Sequence, residues 1–421
     1  MEKDKIIHSK IVIIGAGDAG WSTIQFLRSN PEFSLNNVIV IDATKKFQYQ
    51  SINTLVGAGH PFKPITNLKS DKFFDGVKRV FSNVKMVHPE TNTIECENQE
   101  KYSYDVLVIA AGIVINLTKI KGLEECLKDP SIPVGTNYLA EYALKFRKLQ
   151  NDFKGGHAIF TQPASPIKCG GAPQKIMYLC NDSWSSAKFF RSKLDFRSSF
   201  CTGSKVLFVN PFYEEALYKV AQSYNININL EHELVEIDGT RRIAYFKSPS
   251  NQKLIPKSFD IMHVTPIQEA PSFIRNSGLS NVDGFVHVNI KTLQHLKYPN
   301  IFSIGDSASL PTSKTLSGIS EQGDVLSKNI NSFLKNKKLE SEYNGYTACP
   351  IFVGREKLIL CEFGYDGKVL PTFFDDQRKP SSMLFYIKSF LMPSLYLIGG
   401  PKFMKKLRSV YCPPLFKFLR F

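Results

Sequence analysis

An apolar strand that runs straight into Gly15-x-Gly17-x-x-Gly20 constrains this chain more than any other feature. Lys10–Ile14 reads as the strand, and a helical pattern follows from about Ala19 to Arg28. In a strand–turn–helix of this spacing, one glycine permits the tight turn, the next lets backbone amides approach a pyrophosphate, and the third allows close packing. The helix N-terminus adds a positive dipole end for the phosphates. A second strand, Asn37–Ile41, ends in Asp42, and an acid about 20 residues beyond the glycines suits a hydrogen bond to a ribose hydroxyl. A tight turn without a ligand is the competing reading, and the strand, the helix and Asp42 together argue against it.

The same pattern begins again at His157–Thr161 but continues differently. Its turn is Gln162-Pro163-Ala164-Ser165-Pro166, which has no glycine and no amide donor at either proline. A pyrophosphate would find a poor cradle there. Cys169 follows, ahead of Gly170, Gly171 and a helix predicted from about Ala172. Thiolate is the competent nucleophile, and a cysteine close to a helix N-terminus with a lysine beside it (Lys168) is set up to be one. Two further strand ends complete the pattern: Tyr104–Ala110 into Ala111-Gly112, and Ile301–Gly305 into Asp306. Their recurrence favours FAD over NAD as the dinucleotide, and the two turns together read as a flavoprotein that kept its FAD site and lost its nicotinamide site.

The chain has 421 residues, enough for two or three domains with their own cores. The fold class expected is α/β, with two Rossmann-like dinucleotide-binding domains and a membrane-associating C-terminal segment. The boundaries expected are a first FAD-binding part at 1–115, a second Rossmann-like domain at 116–275, the rest of the FAD domain at 276–335, and a C-terminal module at 336–421. Strands are expected at Lys205–Val209 and Asp260–Val264, a meander across Ile226–Tyr245, a helix near Ser317–Asn336, a charged linker at Lys335–Glu342 and further strands across Gly345–Leu360.

Formal charge is +15. From Ser381 onward there are Lys388, Lys402, Lys405, Lys406, Arg408, Lys417 and Arg420 and no acidic residue. Interleaved Phe385, Tyr386, Phe390, Leu391, Leu395, Tyr396, Phe403, Met404 and Leu407 point to amphipathic helices on a lipid surface rather than to nucleic acid. A helix pair packed on the protein's own core is the alternative. No run approaches the roughly 20 apolar residues of a spanning helix, and no signal or transit peptide is visible. Eight cysteines without CxxC give no disulfide scaffold and little support for zinc or iron–sulfur sites.

Four segments resemble one family: Tyr49–Gly59 (YQSINTLVGAG), Ile167–Leu179 (IKCGGAPQKIMYL), Gly305–Thr315 (GDSASLPTSKT) and Gly345–Pro350 (GYTACP). They are similar to the animal and fungal sulfide:quinone oxidoreductases, and the likeness runs from Lys10 to about Leu407. It implies that Cys169 and Cys349 are redox-active, bridged at rest by a disulfide or a sulfur-inserted link. Hydrogen sulfide would attack at the Cys349 position and leave a persulfide. The Cys169 thiolate would then pass two electrons to FAD, and a membrane quinone, with ubiquinone expected, would receive them. Glutathione or sulfite would remove the sulfane sulfur, on the mitochondrial inner membrane. FAD would be held by Gly15, Gly17, Gly20, Asp42, Gln50, Ala111, Gly112, Gly305 and Asp306, with Lys314 stabilising the reduced, anionic flavin. Tyr49 and Gln322 would line the flavin or quinone pocket.

The remaining cysteines (Cys96, Cys126, Cys180, Cys201, Cys361 and Cys412) read as core or incidental thiols, and His60 and His157 as ordinary histidines. Departures from the family pattern are Ser51 and Asn53 beside the pocket and a tail shortened between Leu397 and Gly399. Two rivals stand: a type II NADH:quinone dehydrogenase, which needs a second glycine fingerprint, and a non-catalytic FAD-binding scaffold on membranes.

Overall fold

The computed structural model describes residues 6–69, 71–186, 194–248, 253–374 and 376–411; Cys412, Lys417 and Arg420 lie outside them. A seven-stranded sheet carries the first glycine turn, in the order Lys78–Phe81, Val38–Asp42, Ile6–Ile14, Lys101–Ile109, Thr93–Cys96 and Val84–His88. Ile301–Ser303 also pairs with Lys101–Ile109, so a strand far along the chain returns to this sheet. Ile11–Ile14, Val38–Ile41 and Val106–Ile109 are all buried, the continuous apolar runs that parallel strands covered on both faces require. The register aligns Ile14 with both Ile41 and Ile109, and Ile109 with Ser303. Four strands therefore end together, and the glycine turn, Asp42, Ala111-Gly112 and Gly305-Asp306 emerge at one edge, where open α/β sheets bind ligands.

A second, parallel sheet runs in the order Val134–Gly135, Ile261–His263, Gly156–Gln162, Phe196–Thr202 and Ile226–Asn229. The meander begins later than expected, because Ile226–Asn229 joins the parallel sheet: it is the antiparallel trio Glu233–Asp238, Ile243–Lys247 and Leu254–Ser258. Residues 205–209 correct the expectation of a strand. They form bends, and the strand lies earlier, at Phe196–Thr202. The Glu214 carboxylate accepts from the Leu207 and Phe208 N–H groups at 2.7 and 3.3 Å, which removes them from any ladder. Thr347–Gly354 and Lys357–Phe363 form a hairpin whose inner face shares a core with the helix Ala172–Ser185.

The tail also differs from expectation. A helical stretch, Ser382–Ser409, broken at Gly400, is long and apolar enough to cross a membrane by length and composition. Helix continues through Pro393, which sits in the first turn of its segment, and resumes past Gly400, whose φ of 69° marks a kink. One side packs on the protein, as the core-packed alternative required. Tyr396 is buried and bonds Asp18, Gln25 binds Gly399 and Lys402, and Lys405 and Arg408 pair with Glu321 and Asp324. The other side leaves Tyr386, Phe390, Leu391 and Ile398 exposed, Ile398 by 85%.

Candidate active site

A cavity of about 730 Å³ begins at the aligned strand ends and runs to the tail helix. Gly15, Gly17, Asp42, Gln50, Ala111, Gly112, Cys169, Asp306 and Lys314 line it, whereas Gly20, Gly305 and Cys349 stand behind its wall. The glycines divide by task. A Cβ on Gly15 would come 2.3 Å from the Ala110 carbonyl oxygen, and one on Gly20 would come 2.0 Å from that of Gly15, so both serve close packing. A Cβ on Gly17 or Gly112 would meet no atom within 4 Å. Their backbone faces open space, the cradle a dinucleotide needs. Asp42 shapes this cradle by accepting from the N–H groups of Ala16 (2.5 Å) and Thr44 (2.7 Å). Behind the wall, Gly305 donates its N–H to Gln322 Oε1 at 2.8 Å. That bond turns Gln322 away from the cavity, unlike the pocket position expected, while Tyr49 does line it.

Two acids crowd the cradle. Asp18, which the sequence did not single out, lies in the turn itself, and burial pushes its carboxyl up to about 6, with the Asp306 charge adding to the rise. Burial raises Asp306 too, opposed by Lys314 and Lys168. Lys314 donates its ammonium to the carbonyl oxygens of Asp306 (2.7 Å) and Ala308 (3.1 Å), and burial lowers it to about 8. Its own carbonyl accepts the Cys169 N–H at 2.8 Å, so the PTSKT loop positions the cysteine.

Cys169 adopts φ +51°, a left-handed conformation uncommon for a residue with a Cβ. The helix Ala172–Ser185 starts three residues later, capped by Gly171. Lys175, in its first turn, is buried and donates to Cys169 Sγ at 3.2 Å. Side chains in helices lean toward the N-terminus, which aims Lys175 back at the cysteine; the sequence reading passed over this signal. Cys349 lies on the facing hairpin strand and is fully buried. Burial, then the neighbouring Cys169 charge, pushes its thiol up to about 12, with Lys175 opposing. Cys169 and Cys349 are both free thiols. From the tail helix, half-buried Lys388 faces the same group; burial and then Lys175 lower it to about 8. Ile387, Leu391 and Leu395 supply an apolar end to the cavity.

The second βα turn is occupied by a side chain. Glu233 accepts the Ala164 N–H at 2.7 Å, and the same carboxylate oxygen lies where a Cβ on Gly203 would fall.

Glycine turn and aligned strand ends define a dinucleotide-binding α/β oxidoreductase. Residues 9–147 match the family described as pyridine nucleotide-disulphide oxidoreductase. The chain is 38% identical over 411 residues to the Schizosaccharomyces pombe mitochondrial sulfide:quinone oxidoreductase, covering 92% of this chain and 89% of that one. It belongs to the sulfide:quinone oxidoreductase family. The Aquifex aeolicus sulfide:quinone oxidoreductase shares the fold, with a TM-score of 0.76 at 18% identity over 94% of this chain and 92% of its own. So does a chain of the Tetrahymena thermophila mitochondrial ATP synthase, with a TM-score of 0.82 at 20% identity over 98% and 99%.

Proposed function

We propose that the protein oxidises hydrogen sulfide and delivers the electrons through FAD to a membrane quinone. The observation that carries this reading is the thiol pair itself. Cys169, in contact with a buried ammonium, lines a cavity that also holds a dinucleotide cradle, and Cys349 lies behind that wall within the ammonium's electrostatic reach. FAD, when bound, supplies the two-electron carrier between thiol and quinone.

The residues divide the work. Gly17 and Gly112 open the backbone to the diphosphate, Asp42 and Gln50 border the adenosine half, and Ala111 and Asp306 border the rest, with Gly305 behind them. The Lys175 ammonium stabilises negative charge on Cys169 by a charge-assisted hydrogen bond. Cys349 is the sulfur carrier: once Cys169 and Cys349 are oxidised to a disulfide, sulfide attacks Cys349 Sγ, the S–S bond breaks, Cys349 keeps the sulfur as a persulfide, and Cys169 leaves as the thiolate that Lys175 stabilises. Lys314 fixes the carbonyls at Asp306 and Ala308 and supplies a cation beside the cofactor. Ile387, Leu391 and Leu395 form the apolar approach for a quinone such as ubiquinone. Exposed Phe390 and Ile398 on the same helix suit a lipid surface, here the mitochondrial inner membrane, with glutathione or sulfite accepting the sulfur.

An anaerobic titration of the flavin band tests this. Bleaching by sulfide alone is expected. Bleaching by NADH, with none by sulfide, overturns the reading and restores the NADH dehydrogenase rival.

A further inference from the structure

Cys361 lies outside every motif in the sequence, yet the hairpin register sets it directly opposite Cys349. Residues facing each other across an antiparallel pair project to the same side, with Cβ atoms about 4.5–5.5 Å apart. Both thiols are buried in one apolar cluster with Met177, Ile351 and Ile359. A charge on Cys349 is felt at Cys361, and the Lys175 ammonium that touches Cys169 Sγ at 3.2 Å acts on all three cysteines. The order Cys169, Cys349, Cys361 is thus a row of thiols around one buried cation.

We propose that Cys361 is a third sulfur-handling residue, which takes the sulfane sulfur from the Cys349 persulfide and frees Cys349 to re-form its disulfide with Cys169, two electrons passing to flavin and quinone, so that a second sulfide is oxidised before any acceptor arrives. The proposal rests on the sulfide-oxidising reading above. In the step, Cys361 sulfur attacks the outer sulfur of Cys349–S–SH. The S–S bond to Cys349 breaks, a new one to Cys361 forms, and the bonding pair stays on Cys349. The proton that Cys361 gives up is regained at Cys349, so no electrons leave the pair and no oxidant is needed. Lys175 stabilises the thiolate on whichever cysteine carries it.

The ladder geometry favours this hand-off over a direct Cys349–Cys361 disulfide. The N–H and C=O of Ala348 both engage the Ser317 hydroxyl, and Pro350 has no N–H. Cys349 and Cys361 are therefore the pair whose backbone groups face one another, with a Cα spacing of about 5.5 Å. A disulfide needs Cβ atoms about 3.8 Å apart, whereas one inserted sulfur lengthens the bridge by an S–S bond of about 2.05 Å. At rest, burial keeps the Cys361 thiol protonated, so it does not compete with Cys169.

The test uses flavin-loaded protein, excess sulfide and a short-chain ubiquinone, with no sulfite or thiol acceptor. Iodoacetamide stops the burst, quinone reduced per flavin is read, and mass spectrometry maps the capped persulfides. The wild-type burst is expected to exceed that of Cys361→Ala by about one quinone per flavin, with sulfane sulfur on the Cys361 peptide. Cys180→Ala, a buried thiol in the same cluster, is expected to keep the wild-type burst. Equal bursts in wild type and C361A, with no sulfane sulfur at Cys361, overturn the proposal while sulfide oxidation stands. No sulfide-dependent quinone reduction in the wild type overturns the functional reading and this proposal together. If Cys361→Ala fails to retain flavin, mapping on the wild-type protein still decides, because an unmodified Cys361 peptide overturns the hand-off.

Discussion

The Glu233 carboxylate accepts the Ala164 backbone N–H at 2.7 Å, in the turn where a nicotinamide domain would receive a pyrophosphate. An acidic side chain thus takes the amide that an anionic ligand would use, and the flanking Pro163 and Pro166 offer none. NADH at millimolar concentration is expected to leave the flavin band unchanged in both wild type and Glu233→Ala. Reduction by NADH in the wild type would refute the closed-turn account.

Lys175 makes a second target. Lys175→Met removes the ammonium from Cys169 and keeps most of the side-chain volume. Iodoacetamide labelling of Cys169 near neutral pH is expected to slow roughly tenfold, with a similar loss of sulfide turnover and no loss of FAD. Labelling at the wild-type rate would mean that the contact does not activate the thiol.

Cys349→Ala should bind FAD normally and lose sulfide oxidation by three orders of magnitude or so, since the sulfur has no covalent carrier. Quinone reduction close to the wild-type rate, measured with sulfide and sulfite, would remove Cys349 from the reaction.

Asp18 carries a pH signature. Its folded carboxyl is raised to about 6 from an ordinary 3.8, so its contribution to stability is present below the unfolded value and is lost as pH rises through 6. Asp18→Asn keeps a partner for Tyr396 and is expected to raise Tm at pH 7.5 while changing it little at pH 3.5, below the unfolded value. An equal shift at both pH values would show that ionisation of Asp18 is not the cause.

Two exposed residues test the lipid face without removing the tail from its packing. Phe390→Glu with Ile398→Glu places charge on side chains 54% and 85% exposed, so the fold should persist. Binding to anionic liposomes is expected to fall at least tenfold or so, given the burial lost by each apolar side chain. Unchanged co-sedimentation would assign the membrane contact elsewhere.

The cradle was legible because its parts are local. Gly15 to Gly20, Asp42 and Cys169 each declare themselves within a few residues of a strand end, and the sheet register then brings them together. Lys175 was readable in principle from helix geometry, since Cys169 immediately precedes the helix it begins. Cys361 was not, because its pairing depends on the turn near Arg355 and a bulge between Phe352 and Gly354 that set the register. The apolar run at 205–209 misled for a tertiary reason: Glu214, from the next helix, took its amides. Asp18 carries no sequence signal of its own, because its burial is completed by Tyr396 from the tail helix.

The bond between Tyr396 and Asp18 joins residues 378 positions apart. Closing that loop costs chain entropy before any contact repays it, so the enclosure of the cradle belongs to the slow, non-local stage of folding. The nucleotide turn is built from neighbouring residues, whereas its roof is supplied by the distant tail helix. Retention of the yellow chromophore through gel filtration is therefore a simple measure of how many molecules have finished folding.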